Sequence, residues 1–564
     1  MNVTSPQSIR DASWADLEPS FDLLLDRPID RDNVESWLAE WSRLEEIVTE
    51  AISTAMIAYT CDTADEDKEA THRRFVVEIA PKVEEKSVKL AEKFAALGYD
   101  RPGIEQMTAR FRRAIEIFRE ANIPLIAELE ETATEYQRTT GGMLADWERE
   151  RKPIPQLTPF LQSADRAVRE RAFRAIVGPY MAARDQLAEL FDRQLRLRQQ
   201  VAHNAGFANF QQYTFAAKCR FDYGPDECRR FHDAVEAVAV PAVARIYEER
   251  QRRLGVSSLR PWDLMAPIYR DQPLRPFGDV AELIGKTARL FERLDDDLAS
   301  QFRIMAAEQL LDLDSRKNKA PGGYCDTLHY RGRPFVFMNA SGVMEDVQTL
   351  LHEAGHAFHA FSAHRQPLIW QRHPTAESAE LASMSMELLA APLLDSPGVF
   401  LSERDAAVAR IEHLEDVLVT LCHVASVDAF QAWIYTDPNG AIAEARDDAW
   451  VALRSRFEPA VDWSGLAAER VARWYRQLHI FLYPFYYIEY GIAQLGAIQV
   501  WQNHRQNPAA ALDAYRRFLA LGATASLPEL YREAGARLVF DRKSMEALVG
   551  LVESEIERQR AVIG

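Results

Sequence analysis

The chain has 564 residues, 47% of them hydrophobic and 27% charged, which is too much chain for one ordinary core and enough apolar material for a large buried interior. A net charge of −18 argues against nucleic acid and anionic membranes as main partners, because both demand clustered Lys and Arg. The five cysteines, at 61, 219, 228, 325 and 422, contain no C-x-x-C pair and form neither a disulfide framework nor a zinc ribbon, so they read as reduced, buried thiols. The first twenty residues hold no apolar signal core, and no uncharged apolar run approaches the ~20 residues of a membrane span, which gives the expectation of a cytoplasmic protein.

Helical periodicity dominates from the start. Val34 to Ala58, Lys82 to Leu97, Ile104 to Arg119 and Leu187 to His203 repeat apolar residues at three- and four-residue steps with charged opposite faces. Gly98 and Gly206 stand where C-terminal caps belong. Arg151 to Pro159 is a Pro-rich break, and the next helix starts near Ser163 or Asp165, either of which can cap it. This places a loose boundary between 150 and 185, with an N-terminal helical segment over 1–185 and a catalytic helical part over 186–564. The mainly α pattern lapses at Tyr324–Tyr330 and Arg333–Met338, where aromatic and β-branched residues flank Arg331-Gly332 and predict a β-hairpin.

Directly after the hairpin the chain reads VQTLLHEAGHAFHAF from Val347. Apolar residues at Val347, Leu350, Leu351, Ala354 and Ala357 predict a buried helix. His352 and His356 then project from one face a turn apart, where two imidazoles can share one tetrahedral zinc. Glu353 follows the first of them and can take a proton from a zinc-bound water. Gly355 costs a helix interior about 1 kcal/mol relative to Ala, which points to close approach by a neighbour. His359 does not fit the longer motif that uses a third histidine ligand and is expected to be packed or to lie behind the ligands.

A catalytic zinc needs a third protein ligand and an open position. Glu377, Glu380 and Glu387 compete for that place; Glu380, Ser383 and Glu387 share a helical face. Glu380 is favoured as the ligand, with Glu387 accepting a hydrogen bond from a ligand histidine. Asp346 can either orient a ligand or answer the helix dipole from the first turn.

Together, PFVFMNASGVMEDVQTLLHEAGHAFH, the following AELASMSME, the segment Arg476 to Tyr490 and the segments Phe518–Gly522 and Pro528–Gly535 resemble the thimet oligopeptidase and oligoendopeptidase F family of zinc metallopeptidases, in particular its Pz-peptidase-like branch. The resemblance is clear from about residue 200 onward. It implies a multi-helix, clam-like or prolate body with a deep channel that admits short unfolded peptides. It also implies one zinc per chain, held by His352, His356 and Glu380, with Glu353 as general base. Family members place a histidine followed by several tyrosines around the substrate and the oxyanion. The counterparts here are His479, Tyr483, Tyr487 and Tyr490, with Tyr486 able to exchange with Tyr487. The hairpin strand Tyr324–His329 becomes a candidate edge for pairing with an extended peptide.

The expected activity is therefore zinc-dependent endoproteolysis of short, unstructured peptides. Two rivals stand beside it. A carboxypeptidase or dipeptidase needs an Arg or Lys that captures a peptide terminus, which the sequence does not single out. A peptide-binding scaffold needs a lapsed site, against which the intact His, Glu and His speak.

Overall fold

The computed structural model describes residues 3–270 and 272–564. Helices carry most of the chain, and the described strands form two small sheets. The helices at Val34–Cys61, Ala80–Leu97, Glu105–Ile117 and Arg184–Asn204 coincide with the four periodic stretches. Gly98 closes the second in the left-handed conformation (φ 59°), the geometry in which glycine has no steric penalty. Asp165, rather than Ser163, caps the helix Arg166–Ala182, accepting from the Ala167 amide.

The chain divides into two compact units, each assembled from three stretches. The first comprises residues up to Phe118, Arg275–Ala406 and Ala493–Leu538; the second comprises Arg119–Leu274, Ala407–Ile492 and Val539–Gly564. Both units thus draw on residues from each side of position 185.

In the first unit, Trp37, Trp41 and Phe94 are nearly solvent-free, and Trp41 packs on Phe111 and Trp370 at ring separations of 5.0 and 4.4 Å. This unit holds the three-stranded sheet, in the order β3-β5-β4: β3 (Leu311–Asp314), β4 (Tyr324–Leu328) and β5 (Arg333–Ala340). The β4–β5 pair is the antiparallel hairpin predicted around Arg331-Gly332, with Tyr324 opposite Phe337 and Leu328 opposite Arg333. The parallel strand β3 is an addition to the expected hairpin. The Lys319 ammonium, fully buried, ties the connecting loop down by donating to the carbonyls of Asp312, Asp314 and Met338.

In the second unit the Pro-rich break is partly ordered: β1 (Leu144–Trp147) pairs with β2 (Glu150–Pro153) before a 3₁₀ segment runs from Ile154 to Gln162. The buried Arg198 guanidinium donates to the Tyr435 hydroxyl and to the carbonyls of Ile480 and Phe481. It thereby anchors the short helix Leu478–Leu482. The helix Glu403–Thr436 is long and apolar enough to cross a membrane by length and composition, but most of its apolar window is buried within the protein. Its Glu415 accepts from Tyr269 and its Asp428 meets His232 at 2.9 Å, which are the contacts of a core helix.

Candidate metal centre and tyrosine cluster

The predicted motif helix runs from Met344 to Ala363. Its start is set by Asp346, whose Oδ2 accepts from the amides of Ser341 and Val343 at 2.8 and 2.9 Å. Of the two roles open to Asp346 in the sequence, orienting a ligand or answering the helix dipole, its carboxylate takes the one at the helix start, where it also caps free amides. The helix places the imidazoles of His352 and His356 4.9 Å apart between centroids, their planes at 82°.

A second helix, Ala376–Ala390, lies against the first. Gly355 makes that approach possible. A Cβ added there would fall 2.5 Å from the Ser383 Cα and 2.8 Å from the Ala382 carbonyl oxygen, a distance no side chain can tolerate. Two buried tyrosines brace the same helix from outside: Tyr515 donates to the Ala382 carbonyl at 2.8 Å and Tyr531 to the Glu377 carbonyl at 3.2 Å.

The result is a convergent donor set. Glu380 Oε2 lies 3.4 Å from His352 Nε2 and 3.8 Å from His356 Nε2. Ligands about 2.0–2.1 Å from a tetrahedral zinc stand roughly 3.3 Å from one another, so these separations fit one small divalent cation. Among the described residues, His352, His356 and Glu380 form the one group of three or more His, Cys, Asp or Glu able to hold a metal. Ser383 donates to the Glu380 carboxylate at 3.2 Å, and Glu387 Oε1 stands 2.6 Å from His352 Nδ1. Glu387 thus selects the tautomer that leaves His352 Nε2 free for a metal. Glu377 is buried on the same helix but is not part of the donor set.

The electrostatics are set by burial and by three neighbouring carboxylates, those of Glu353, Glu380 and Glu387. Burial pushes the Glu353 carboxyl up to about 7; the nearby Glu380 and Glu387 charges push the same way, and His352 opposes them. Burial disfavours the charged form of His352, yet Glu380 and Glu387 outweigh it and raise that imidazole well above its ordinary value. His356 is pushed down to about 4, chiefly by burial. His359, a turn beyond, is buried against Phe518 and held neutral, with its pKa near 3.

The hairpin borders this pocket. Gly323 approaches Thr349 of the motif helix, and the thiol of Cys325 is raised first by burial and then by the Glu353 charge. β4 ends the sheet: it pairs with β5 on one side and with no described strand on the other. His329, just beyond it, is buried and stacks on His373 at 4.2 Å.

His479, Tyr483, Tyr487 and Tyr490 lie in the second unit. Their rings surround His479: centroid separations are 5.9 Å to Tyr483, 4.8 Å to Tyr487 and 5.9 Å to Tyr490, with Tyr486 at 5.8 Å. The Tyr490 hydroxyl is 3.5 Å from His479 Nε2, and Tyr483 is half exposed. Phe485, buried between the two helices that carry the cluster, adopts φ 62°, a strained backbone for a bulky residue. Gln431 holds its amide at 2.8 Å.

Three residues that the sequence reading did not single out complete this region. Arg454 donates to His423 Nδ1 at 3.0 Å. Because a guanidinium only donates, His423 must carry its proton on Nε2, and the Gln477 atom 3.3 Å away must be the amide oxygen. Tyr487 donates to that same oxygen at 3.0 Å. No local signal marks this network, which spans residues 423 to 487.

The motif, the donor set and the helical fold define a class, that of metallopeptidases with an HExxH helix. The model of peptidase family M3 matches residues 160–549, and the chain belongs to that family. It is 23% identical over 380 residues to an oligoendopeptidase F homolog of Borreliella burgdorferi, covering 65% of this chain and 61% of that protein, so less than two thirds of the relative's length is matched. It is 21% identical over 412 residues to the oligopeptidase PepF of Bacillus subtilis, covering 72% of this chain and 59% of that one. The solved structure of Pz peptidase A with an inhibitor superposes with a TM-score of 0.90 at 28% identity, covering 96% of this chain and 97% of the other.

Proposed function

We propose that the protein is a zinc-dependent oligoendopeptidase that hydrolyses internal bonds of short, unstructured peptides. The observation that carries the reading is the convergence of His352, His356 and Glu380 at coordinating distances beside the buried Glu353. Peptide substrates follow from the family, and the identity of the metal follows from two imidazoles and a carboxylate, a set suited to zinc.

A zinc ion held by these three residues would supply Lewis acidity and make water acidic enough to attack near neutral pH. The chain's own groups supply the rest. Glu353, buried beside the donor set, accepts the proton of the attacking water and returns it to the leaving amine. Glu387 holds the His352 ring in register through Nδ1. The open side of β4 offers main-chain donors and acceptors to an extended peptide, an affinity that does not depend on side-chain identity. Of the tyrosines, Tyr490 is assigned the oxyanion role and Tyr487, which donates to Gln477, a positioning role.

The test is an internally quenched peptide blocked at both ends, incubated with protein of measured zinc content. Cleavage at an internal bond with one zinc per chain supports the reading. Release of only terminal residues from unblocked peptides would favour an exopeptidase, and zinc binding without cleavage of any peptide would favour a scaffold.

A further inference from the structure

A cavity of about 610 Å³ lies wholly within the second unit, and its wall includes His479 and Tyr487. Arginines and acids line it in equal number. Glu415 pairs with Arg560 and accepts from Tyr269, and Glu412 pairs with Arg270. Glu458 is shared between Arg454 and Arg473. The exposed Arg476 guanidinium makes no hydrogen bond or ion pair with any described residue.

The neighbouring Gln477 adds a fixed donor. Its amide oxygen is occupied by Tyr487 and by His423 Nε2, an orientation forced by the Arg454 contact on the other side of the His423 ring. The amide nitrogen therefore faces away from both and bonds to no described residue. Burial, then the charges of Arg454 and Arg473, push His423 down to about 3. An unpaired guanidinium beside a pre-oriented amide N–H, on the wall of a cavity that reaches the tyrosine cluster, is a carboxylate site without its carboxylate.

We propose that Arg476 and the Gln477 amide bind a carboxylate of the peptide substrate, in the first place its C-terminal carboxylate. The proposal rests on the peptidase reading above.

The experiment uses one short N-acetylated peptide in four forms: free acid, C-terminal amide, and each of these with its single internal Glu replaced by Gln. kcat/KM for the wild type should favour the free acid over the amide by about tenfold, the effect expected of one charge-assisted pair at a partly exposed site. In Arg476→Ala the ratio should fall to about one, and Arg476→Lys should restore part of it. A preference that follows the internal Glu and is lost in Arg476→Ala assigns the site to an acidic side chain rather than the terminus, and still places a carboxylate on Arg476. Equal rates for all four forms, or ratios unchanged by Arg476→Ala, overturn the proposal. Fluorescence-detected binding of the same peptides to Glu353→Gln protein reads the site without turnover. Equal affinities there overturn it even if hydrolysis fails, whereas an acid preference retained there while the wild type cleaves none of the peptides overturns only the peptidase reading.

Discussion

Gly355 and Ser383 touch backbone to backbone: the α-carbon of Ser383 occupies the space in which a methyl group on residue 355 would stand. The contact sets how close the helix bearing both histidines comes to the helix bearing Glu380. Gly355→Ala must push these helices apart, because neither backbone can give locally. Overpacking of this kind costs about 1–3 kcal/mol. We expect a lower thermal midpoint together with a weaker zinc dissociation constant, measured by competition with a chromogenic chelator. Unchanged zinc affinity would mean that the spacing of the helices does not govern the donor set.

Glu353→Gln keeps the shape of the pocket and removes the base. Hydrolysis should fall by at least about 10²-fold, while zinc content by elemental analysis stays at that of the wild type. Substantial residual turnover would reject the assignment of Glu353 as base.

The three acids of the second helix should separate cleanly. Glu380→Ala should lose the metal, as a donor 3.4 and 3.8 Å from the two imidazoles has been removed. Glu377→Ala should retain it. Glu387→Ala should bind zinc about 10–100-fold more weakly, because the His352 ring loses the acceptor that orients it. Metal loss in Glu377→Ala instead would show that the wrong carboxylate had been assigned.

Among the tyrosines, Tyr490→Phe should lower kcat more than it raises KM, by about 10²-fold for a well-placed oxyanion donor. Tyr487→Phe should act mainly on KM, since its hydroxyl is committed to Gln477. Steady-state kinetics on one blocked peptide distinguishes the two, and an unchanged kcat in Tyr490→Phe removes that residue from the oxyanion role.

His329 gives the folded protein an acid sensitivity independent of the metal. Burial pushes it down to about 2, with His373, Arg372 and His364 adding positive charge nearby. Below its unfolded value of about 6.5 the unfolded chain takes up a proton that the folded chain refuses, so stability falls as pH drops through that range. His329→Phe preserves the stack on His373 and removes the proton. Comparing urea unfolding at about pH 7.5 and pH 5.5, the variant should lose less stability than the wild type, by up to about 1.4 kcal/mol per pH unit. Equal losses would mean that the His329 imidazole is protonated in the folded protein.

Local pattern was enough to read the helices and the motif. Apolar residues at three- and four-residue steps fix a helix phase, and that phase alone puts His352 and His356 on one face with Glu353 beside them. The hairpin is equally local, since β4 and β5 are joined by a short Gly turn and pair with near neighbours in sequence. Asp346 was ambiguous because a first-turn acid can orient a metal ligand or answer the helix dipole, and only the direction of its carboxylate distinguishes them. The strand β3 alternates Leu and Asp over Leu311–Asp314, but four residues are too few to set a period, and its partner β5 is reached through a parallel pairing more than twenty residues away.

What no stretch of sequence carries is which distant stretches meet. Each compact unit is woven from three separated segments, so no single composition shift marks a boundary. The choice among Glu377, Glu380 and Glu387 depends on the rotation of one helix against another, set by a glycine contact and two tyrosine braces from the far end of the chain. The orientation of Gln477 depends on a guanidinium and an imidazole that approach it only on folding. Periodicity speaks for residues within a turn or two of one another; long-range packing, which is shape complementarity between surfaces, has no local period to read.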